Sequence, residues 1–274
     1  TTVKVFTQAK DIIRVQTFVQ VADDYVRLLF LRDPVTKKRV RINPTRTNKV
    51  TKMLTKAVYF LTLTEEEEDP LEDDGPPRTY QQRIARECNF IDAVFRVIMA
   101  PLVNGFILSK LNDAMLNVHK LAFRVIRQCL QKCKLSELYF ATSRALGADG
   151  YETLIAKTIK QVAEPVGASD MLNTLLTNNV QLLEENINDI IIQKFICLIE
   201  RTGPEKRLLE FFQSICSCRG LKIVSNQENC VRLLYRNVKN RRSLLIETAA
   251  FDGLPGYPRL PWATEDEEDE ESDH

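Results

Sequence analysis

The sequence has 274 residues, 44% of them hydrophobic, with nine Gly and 11 Pro; this allows one large or two modest domains with a substantial core, and excludes a collagen-like or linker chain. No apolar run reaches bilayer-spanning length and no signal-peptide pattern is present, so the chain reads as a soluble protein or a soluble piece of a larger one. The formal net charge of +1 hides a segregation: Glu65–Asp74 and Glu265–His274 carry eight acids each and no Lys or Arg, leaving 38 basic residues against 21 acidic in the rest.

In chain order, Thr1–Phe6 alternates weakly and reads as a strand remnant or linker within residues 1–10. From Asp11 the period becomes helical, with Ile12, Val15, Phe18, Val19 and Ala22, then Tyr25, Val26 and Leu29. Asp33-Pro34 stops that helix. Val35–Thr47 reads as a basic loop and Asn48–Leu63 as a helix. Thr64–Pro77 is acidic and Pro-containing, with the composition of a disordered loop. One helix is expected over Thr79–Ala100, ended or kinked by Pro101, and another over Leu111–Lys134. Shorter helices follow at Leu138–Leu146 and Glu152–Val162, with Gly147 and Gly150 between them.

The last third is the most regular. Ser169 or Asp170 caps a helix carrying Leu172, Leu175, Leu176, Val180 and Leu183, and Asn188 opens the next one. Gly203-Pro204 breaks that helix, and Pro204 suits the first turn of a helix running towards Gly220. Asn226–Arg236 and an apolar Ser243–Phe251 complete the pattern. Helix pairs recur about every 35–40 residues, near the armadillo and HEAT range. The expected fold is therefore all-α, an armadillo-like stack of antiparallel helices (an α-solenoid) over residues 11–254. Residues 255–274 read as a Pro-rich, then acidic, disordered tail.

Enzyme signatures are missing. There is no GxGxxG, no phosphate-binding Gly-Lys-Ser/Thr loop, no HExxH and no GxSxG. His119 is the only internal histidine, and its neighbours Val118, Leu121 and Ala122 suggest a partly buried helix face rather than a catalytic base. Seven cysteines without a CxxC resemble a reduced chain with thiols packed in a core. Cys129 and Cys133 are spaced to share a helix face. No catalytic set, metal site or cofactor is expected.

The basic excess points to an anionic partner: phosphates, nucleic acid or lipid headgroups. A solvated surface screened by its own acidic loops explains the same charges. Arg83 and Arg86 lie three apart near the start of the Thr79 helix, with Arg78 just before it. Two guanidiniums beside a helix N-terminus suit a phosphate. Alternatively they pair with Glu87 or the upstream acids.

At this point a resemblance emerges. Ala168–Leu176, Asn178-Asn179, Gln181–Glu184, Phe195–Glu200, Leu209–Cys216, Ser225–Gln227 and Leu244–Thr248 resemble, in order and spacing, the helical domain of the inositol trisphosphate and ryanodine receptors. Val50–Thr62 and Gln82–Ile91 are similar to the inositol trisphosphate receptors. The resemblance implies an armadillo-like module on the cytosolic face of the endoplasmic reticulum, within a tetrameric calcium-release channel. It implies a β-trefoil upstream as the opposite wall of a ligand cleft, an inositol phosphate or other polyanion as ligand, no nucleic acid, and no direct membrane contact in this segment. The family pattern Arg-x-x-x-Lys-x-x-Arg falls on Thr79, Arg83 and Arg86, so its first charge is lost. A later Tyr-Arg-Lys falls on Cys133, Lys134 and Leu135, so only the middle charge remains. The phosphate ligands implied are Arg83 and Arg86, with Lys134 and Arg78 as weaker contributors. The competing class is a free armadillo-type scaffold that binds a protein or peptide along its concave face.

Neither acidic block holds enough apolar surface to offset its ordering entropy. Deleting Glu65–Asp74 or Glu265–His274 is expected to leave the melting temperature nearly unchanged. A drop of many degrees would show that the deleted block packs on the basic body.

Overall fold

The computed structural model describes residues 2–31, 44–63, 69–72, 75–147, 150–177, 179–203 and 206–237. The Ser243–Phe251 segment, the acidic tail, the Asp33-Pro34 stop and Pro204 lie outside these residues, as do most of the basic segment 35–47 and much of the acidic one.

Twelve α-helices make up most of the described chain. The first, α1 (Thr2–Phe30), buries Val15, Phe18, Ala22, Tyr25 and Leu29 along one stripe. It runs through Thr2–Phe6, where a strand is expected from Thr1, because two alternating valines do not outweigh the helical pattern that follows. Helix α2 (Pro44–Leu61) starts four residues before the expected Asn48, with Pro44 at its first position, where a missing N–H costs nothing.

The expected Thr79–Ala100 helix is two helices, α3 (Thr79–Glu87) and α4 (Phe90–Val103). Asn89 adopts a left-handed φ of 57° between them. Pro101 sits inside α4 rather than ending it. Helix α5 (Asp113–Leu130) is capped by Asn112, whose Oδ1 accepts from Met115 N at 2.9 Å. It ends before Cys133, so Cys129 and Cys133 do not share a helix. Lys132, with φ 57°, reverses the chain into α6 (Lys134–Thr142).

Two expected helices shrink around a hairpin. Strands β1 (Arg144–Gly147) and β2 (Gly150–Thr153) pair antiparallel, Arg144 opposite Thr153. Helix α7 (Leu154–Ile159) follows, capped by Thr153. Gly167, not Ser169 or Asp170, precedes α8 (Ala168–Leu176). A separate α9 (Val180–Asn186) starts at the Asn179 cap. Asn188 caps α10 (Asp189–Thr202) as its position predicts, and Gly203, with φ 88°, follows that helix. Helix α11 (Lys206–Cys216) stops short of Gly220. A two-residue ladder, β3 (Ser217–Cys218) with β4 (Leu221–Lys222), then turns the chain into α12 (Val224–Val231) and a π-helical turn, Arg232–Arg236. The described residues are therefore predominantly helical, with two small antiparallel ladders.

Helix α1 packs on α4 and α2 on α5, α4 meets α5, and the layer continues through α5–α8, α8–α11 and α6–α9 contacts. One apolar core runs through these layers. Phe18 lies between Phe60 and Phe90, at 6.0 and 5.7 Å between ring centroids, and Phe195 stacks on Phe211. Part of the acidic segment is ordered, unlike the disordered loop its composition suggests: Asp69–Glu72 forms a turn and Leu71 packs against the core, so deleting this turn removes that apolar contact. Leu63 N donates to Pro76 O at 3.2 Å, and Arg78 N to Leu61 O at 2.9 Å. Among the described residues, no helix is long and apolar enough to cross a membrane.

His119 lies on α5 inside this core, only 1% exposed, with Nε2 lacking a partner. Burial depresses its pKa from 6.5 to about 4, against smaller upward pulls from the backbone of Ile98 and Met115. Above pH 6.5 the ring is neutral in both folded and unfolded chains. Between pH 6.5 and 4 the unfolded chain binds the proton first, so acidification costs the folded state about 3 kcal/mol through this one residue. Urea unfolding of the wild type and His119→Leu across that range should show a steeper acid loss in the wild type. Parallel profiles would rule the effect out.

Candidate anion-binding edge between two helices

The placement of α3 begins with its buried face: Gln81, Gln82, Ile84 and Ala85. Gln82 Nε2 donates to Gln128 O at 2.7 Å and to Gln131 O at 2.9 Å. Gln128 lies in the last turn of α5 and Gln131 caps that helix, where no intrahelical donor remains for their carbonyls. The amide thus fixes α3 against the end of α5 and braces the turn that leads into α6.

One turn further along α3, Arg86 reaches α6. Its Nη1 donates to Ser136 Oγ at 3.3 Å and lies 4.0 Å from Cys133 Sγ. Its side chain is 16% exposed, against 67% for Arg83. Arg83 Nε donates to Glu87 Oε1 at 2.8 Å, and Arg86 Nη2 lies 3.9 Å from the same oxygen. One carboxylate therefore faces two guanidiniums. The pairing with Glu87 read from the sequence is present.

Lys134 is the first residue of α6 and is exposed beside this contact. The structure thus brings Arg86 to the 133–136 segment, some 50 residues away, where Lys134 opens α6, while Arg83 stays on the exposed face of α3, one turn before Arg86. Arg78 is not part of the cluster. It precedes α3 and is separated from Arg86 by roughly 12 Å of helix axis. Thr79 is exposed at the same far end.

The expected electrostatics change in one respect. Arg83 sits in the middle of α3 and Arg86 in its last turn, so neither lies at the N-terminus of its own helix. The helix N-terminus at this edge is that of α6. The N–H groups of Ser136 and Glu137 already donate to Cys133 O, at 2.9 and 3.0 Å, so what this end offers an anion is chiefly the positive end of the helix dipole beside Arg86.

Sequence reasoning missed Ser136 and Glu137. Ser136 is buried and receives the Arg86 donor. Glu137 Oε2 accepts from Asn179 Nδ2 at 2.9 Å, which ties α6 to the cap of α9. Burial pushes the Glu137 carboxyl above its usual range, opposed by Asn179, Lys134 and Arg219. The signal that could have found them is a polar Ser-Glu pair in the first turn of a helix, but the expected helices end at Lys134 and resume at Leu138, which leaves both residues between them.

Elsewhere, Glu152 collects Lys194 at 2.7 Å, Lys160 at 3.0 Å and Lys157 at 3.9 Å. Burial raises its carboxyl, but the bonds and charges of Lys194 and Lys160 outweigh burial and hold it below the ordinary value. This cluster joins β2, α7 and α10. Among the described residues there is no group of three or more His, Cys, Asp or Glu placed to hold a metal ion.

Removing the Gln82 amide leaves two carbonyls at the buried end of α5 without their donor. Gln82→Ala should destabilise the chain by about 2–4 kcal/mol, read as a drop in the denaturation midpoint. A loss below about 0.5 kcal/mol would mean that water replaces the clamp.

Comparison with known proteins places this edge in a family. Residues 51–250 match the RIH domain, the homology domain of the ryanodine and inositol trisphosphate receptors. Among curated proteins, the inositol 1,4,5-trisphosphate receptor itr-1 of Caenorhabditis elegans is 23% identical over 247 residues, covering 84% of this chain. The chain spans 8% of that receptor's length. The family match takes in α3, α6 and the edge between them, and the chain belongs to the RIH-domain family of the ryanodine and inositol trisphosphate receptors.

Proposed function

We propose that the chain is a regulatory module of an intracellular calcium-release channel. On this reading it is an armadillo-like stack at the cytosolic face of the endoplasmic reticulum, part of a tetramer, with a β-trefoil upstream as the second wall of a cleft. The α3–α6 edge takes an inositol phosphate or a related polyanion and biases a distant pore through domain closure. No catalytic step is involved. The single observation that supports the reading most is the contact of Arg86 with the first turn of α6, which gathers Arg83, Arg86 and Lys134 beside one helix N-terminus.

The chemistry of the edge implies a weak grip. Thr79, Cys133 and Leu135 supply no charge where the family pattern has ligands, and Glu87 neutralises part of what remains. Each missing charged contact is worth roughly 1.5–3 kcal/mol in a desolvated site, or about 10- to 150-fold in affinity.

Calorimetry with inositol trisphosphate tests this on the 274-residue chain and on a chain extended upstream. The expected outcome is poor binding by the first and measurable binding by the second. Arg86→Ala should weaken the latter at least tenfold, and Glu87→Gln should strengthen it by lifting the competing carboxylate. Tight binding by the short chain alone would refute the weak grip. Binding that survives Arg83→Ala and Arg86→Ala together would put the ligand elsewhere.

A further inference from the structure

The C-terminal ends of α11 and α12 bring two thiols together. Cys216 Sγ lies 3.8 Å from Cys230 Sγ. We propose that Cys216 and Cys230 are a peroxide-sensitive modification site, oxidised to a reversible disulfide that clips α11 to α12.

The geometry needs little change. A disulfide bond is about 2.05 Å long, so the sulfurs must approach by roughly 1.8 Å, within the reach of side-chain rotation. The backbone around them is already fixed. Ile223 N and Gln227 Nε2 both donate to Cys216 O, at 3.1 and 3.0 Å. Asn226 Nδ2 donates to Ile215 O at 3.0 Å and to Leu183 O at 2.9 Å. The β3–β4 ladder closes the connection between the two helices. Each thiol therefore sits on an element that is hydrogen-bonded to the other's.

The environments divide the labour. Cys216 is half-buried and Cys230 is buried, so an oxidant in solution reaches Cys216 first. The hydrogen bond shared with Cys230 pulls the Cys216 thiol below its ordinary range, against the opposite pull of burial. The same bond, together with burial, pushes Cys230 up. Cys216 is thus the attacking thiolate and Cys230 the resolving thiol. The other thiols lack this arrangement: Cys218 donates to Thr177 O at 3.5 Å, Cys133 lies against Ser136 and Arg86, and Cys129 is fully buried.

The chemistry balances with hydrogen peroxide as oxidant. The Cys216 thiolate attacks one peroxide oxygen, the O–O bond breaks, and the departing hydroxide takes a proton to leave as water. Cys216 is then a sulfenic acid. The sulfur of Cys230 attacks that sulfur, the S–S bond forms and the S–O bond breaks. The second hydroxide takes the Cys230 proton and leaves as water. Two thiols lose two electrons and two protons, and one peroxide becomes two waters. A dithiol reductant reverses the bond by exchange.

The test exposes the 274-residue chain to limiting hydrogen peroxide, blocks the remaining thiols with N-ethylmaleimide in denaturant, and maps the peptides by mass spectrometry. The Cys216–Cys230 linkage should be the first disulfide to appear and should vanish with dithiothreitol. Backbone amides of 217–229 should then exchange at least tenfold more slowly. In Cys230→Ser, Cys216 should stop at a sulfenic acid that dimedone traps, with no slowing of exchange. In Cys216→Ser, Cys230 should stay reduced. Helical circular dichroism matching the wild type confirms each variant's fold, and the wild-type map decides the matter if a variant fails to fold. The proposal fails if peroxide oxidises Cys88, Cys133 or Cys197 while Cys216 and Cys230 remain open to maleimide. It also fails if Cys216 pairs with a thiol other than Cys230.

Discussion

The bond on which this edge depends is made by one buried amide. Gln82 Nε2 donates at once to the carbonyls of Gln128 and Gln131. A helix C-terminus leaves its last carbonyls without partners, and water serves them when the end is exposed. The end of α5 is not exposed: Gln128, Cys129 and Leu130 are fully buried. A protein donor has to stand in, and Gln82 reaches it from a different helix. That requirement sets where α3 lies along α5. Arg83, the next residue, consequently points outward, while Arg86, one turn on, meets α6.

Elsewhere in the stack the same device recurs. Asn104 Nδ2 donates to Leu29 O at 3.0 Å, joining the end of α4 to the end of α1. Asn226 spans Leu183 O and Ile215 O, and Gln227 serves Cys216 O. Asn179 caps α9 with its oxygen and donates to Glu137 with its nitrogen. Apolar stripes decide which face of each helix turns inward, but a greasy face tolerates sliding along its axis. A buried amide does not, because a shift of a few tenths of an ångström in each bond weakens it and a larger one orphans a buried polar group. The apolar core gives cohesion, and the amides give axial position.

How much of this was readable from the sequence follows the same division. The helical stripes were legible: Val15, Phe18, Ala22, Tyr25 and Leu29, or Ile191, Ile192, Phe195, Leu198 and Ile199, repeat at three and four and are buried as that spacing demands. The breaks were less so. Asn89, Lys132 and Arg219 adopt positive φ without being glycine, and no Gly or Pro marks the turns at the first two. The sequence pattern therefore gives one helix over Thr79–Ala100 where there are two, and carries the Leu111–Lys134 helix through the turn at Lys132, with the next helix opening only at Leu138. The hairpin at Arg144–Thr153 did carry its signal, two glycines before Tyr151 and Thr153, but the flanking helical pattern masked it. As for the binding edge, local spacing gave Arg83 and Arg86 as neighbours. Their meeting with residues 133–136 depends on the Gln82 clamp across nearly 50 residues, and only the family resemblance put the two segments on one ligand.

The two arginines are held in different ways, and that difference shapes what the edge can do. The Arg83–Glu87 pair is an exposed i,i+4 contact that solvent screens and that contributes little. A phosphate can take Arg83 from Glu87 at little cost. Arg86 is mostly buried, and its neutral partner Ser136 lies in the first turn of α6. It is already oriented, and an arriving anion need not order it. The negative end of α3 steadies Arg86 while the edge is empty, and the positive end of α6 favours whatever anion comes to it. On the proposed reading, one fixed and one exposed cation beside a helix N-terminus form a site that is cheap to leave empty, and the missing charges at Thr79, Cys133 and Leu135 limit how tightly it would hold an anion.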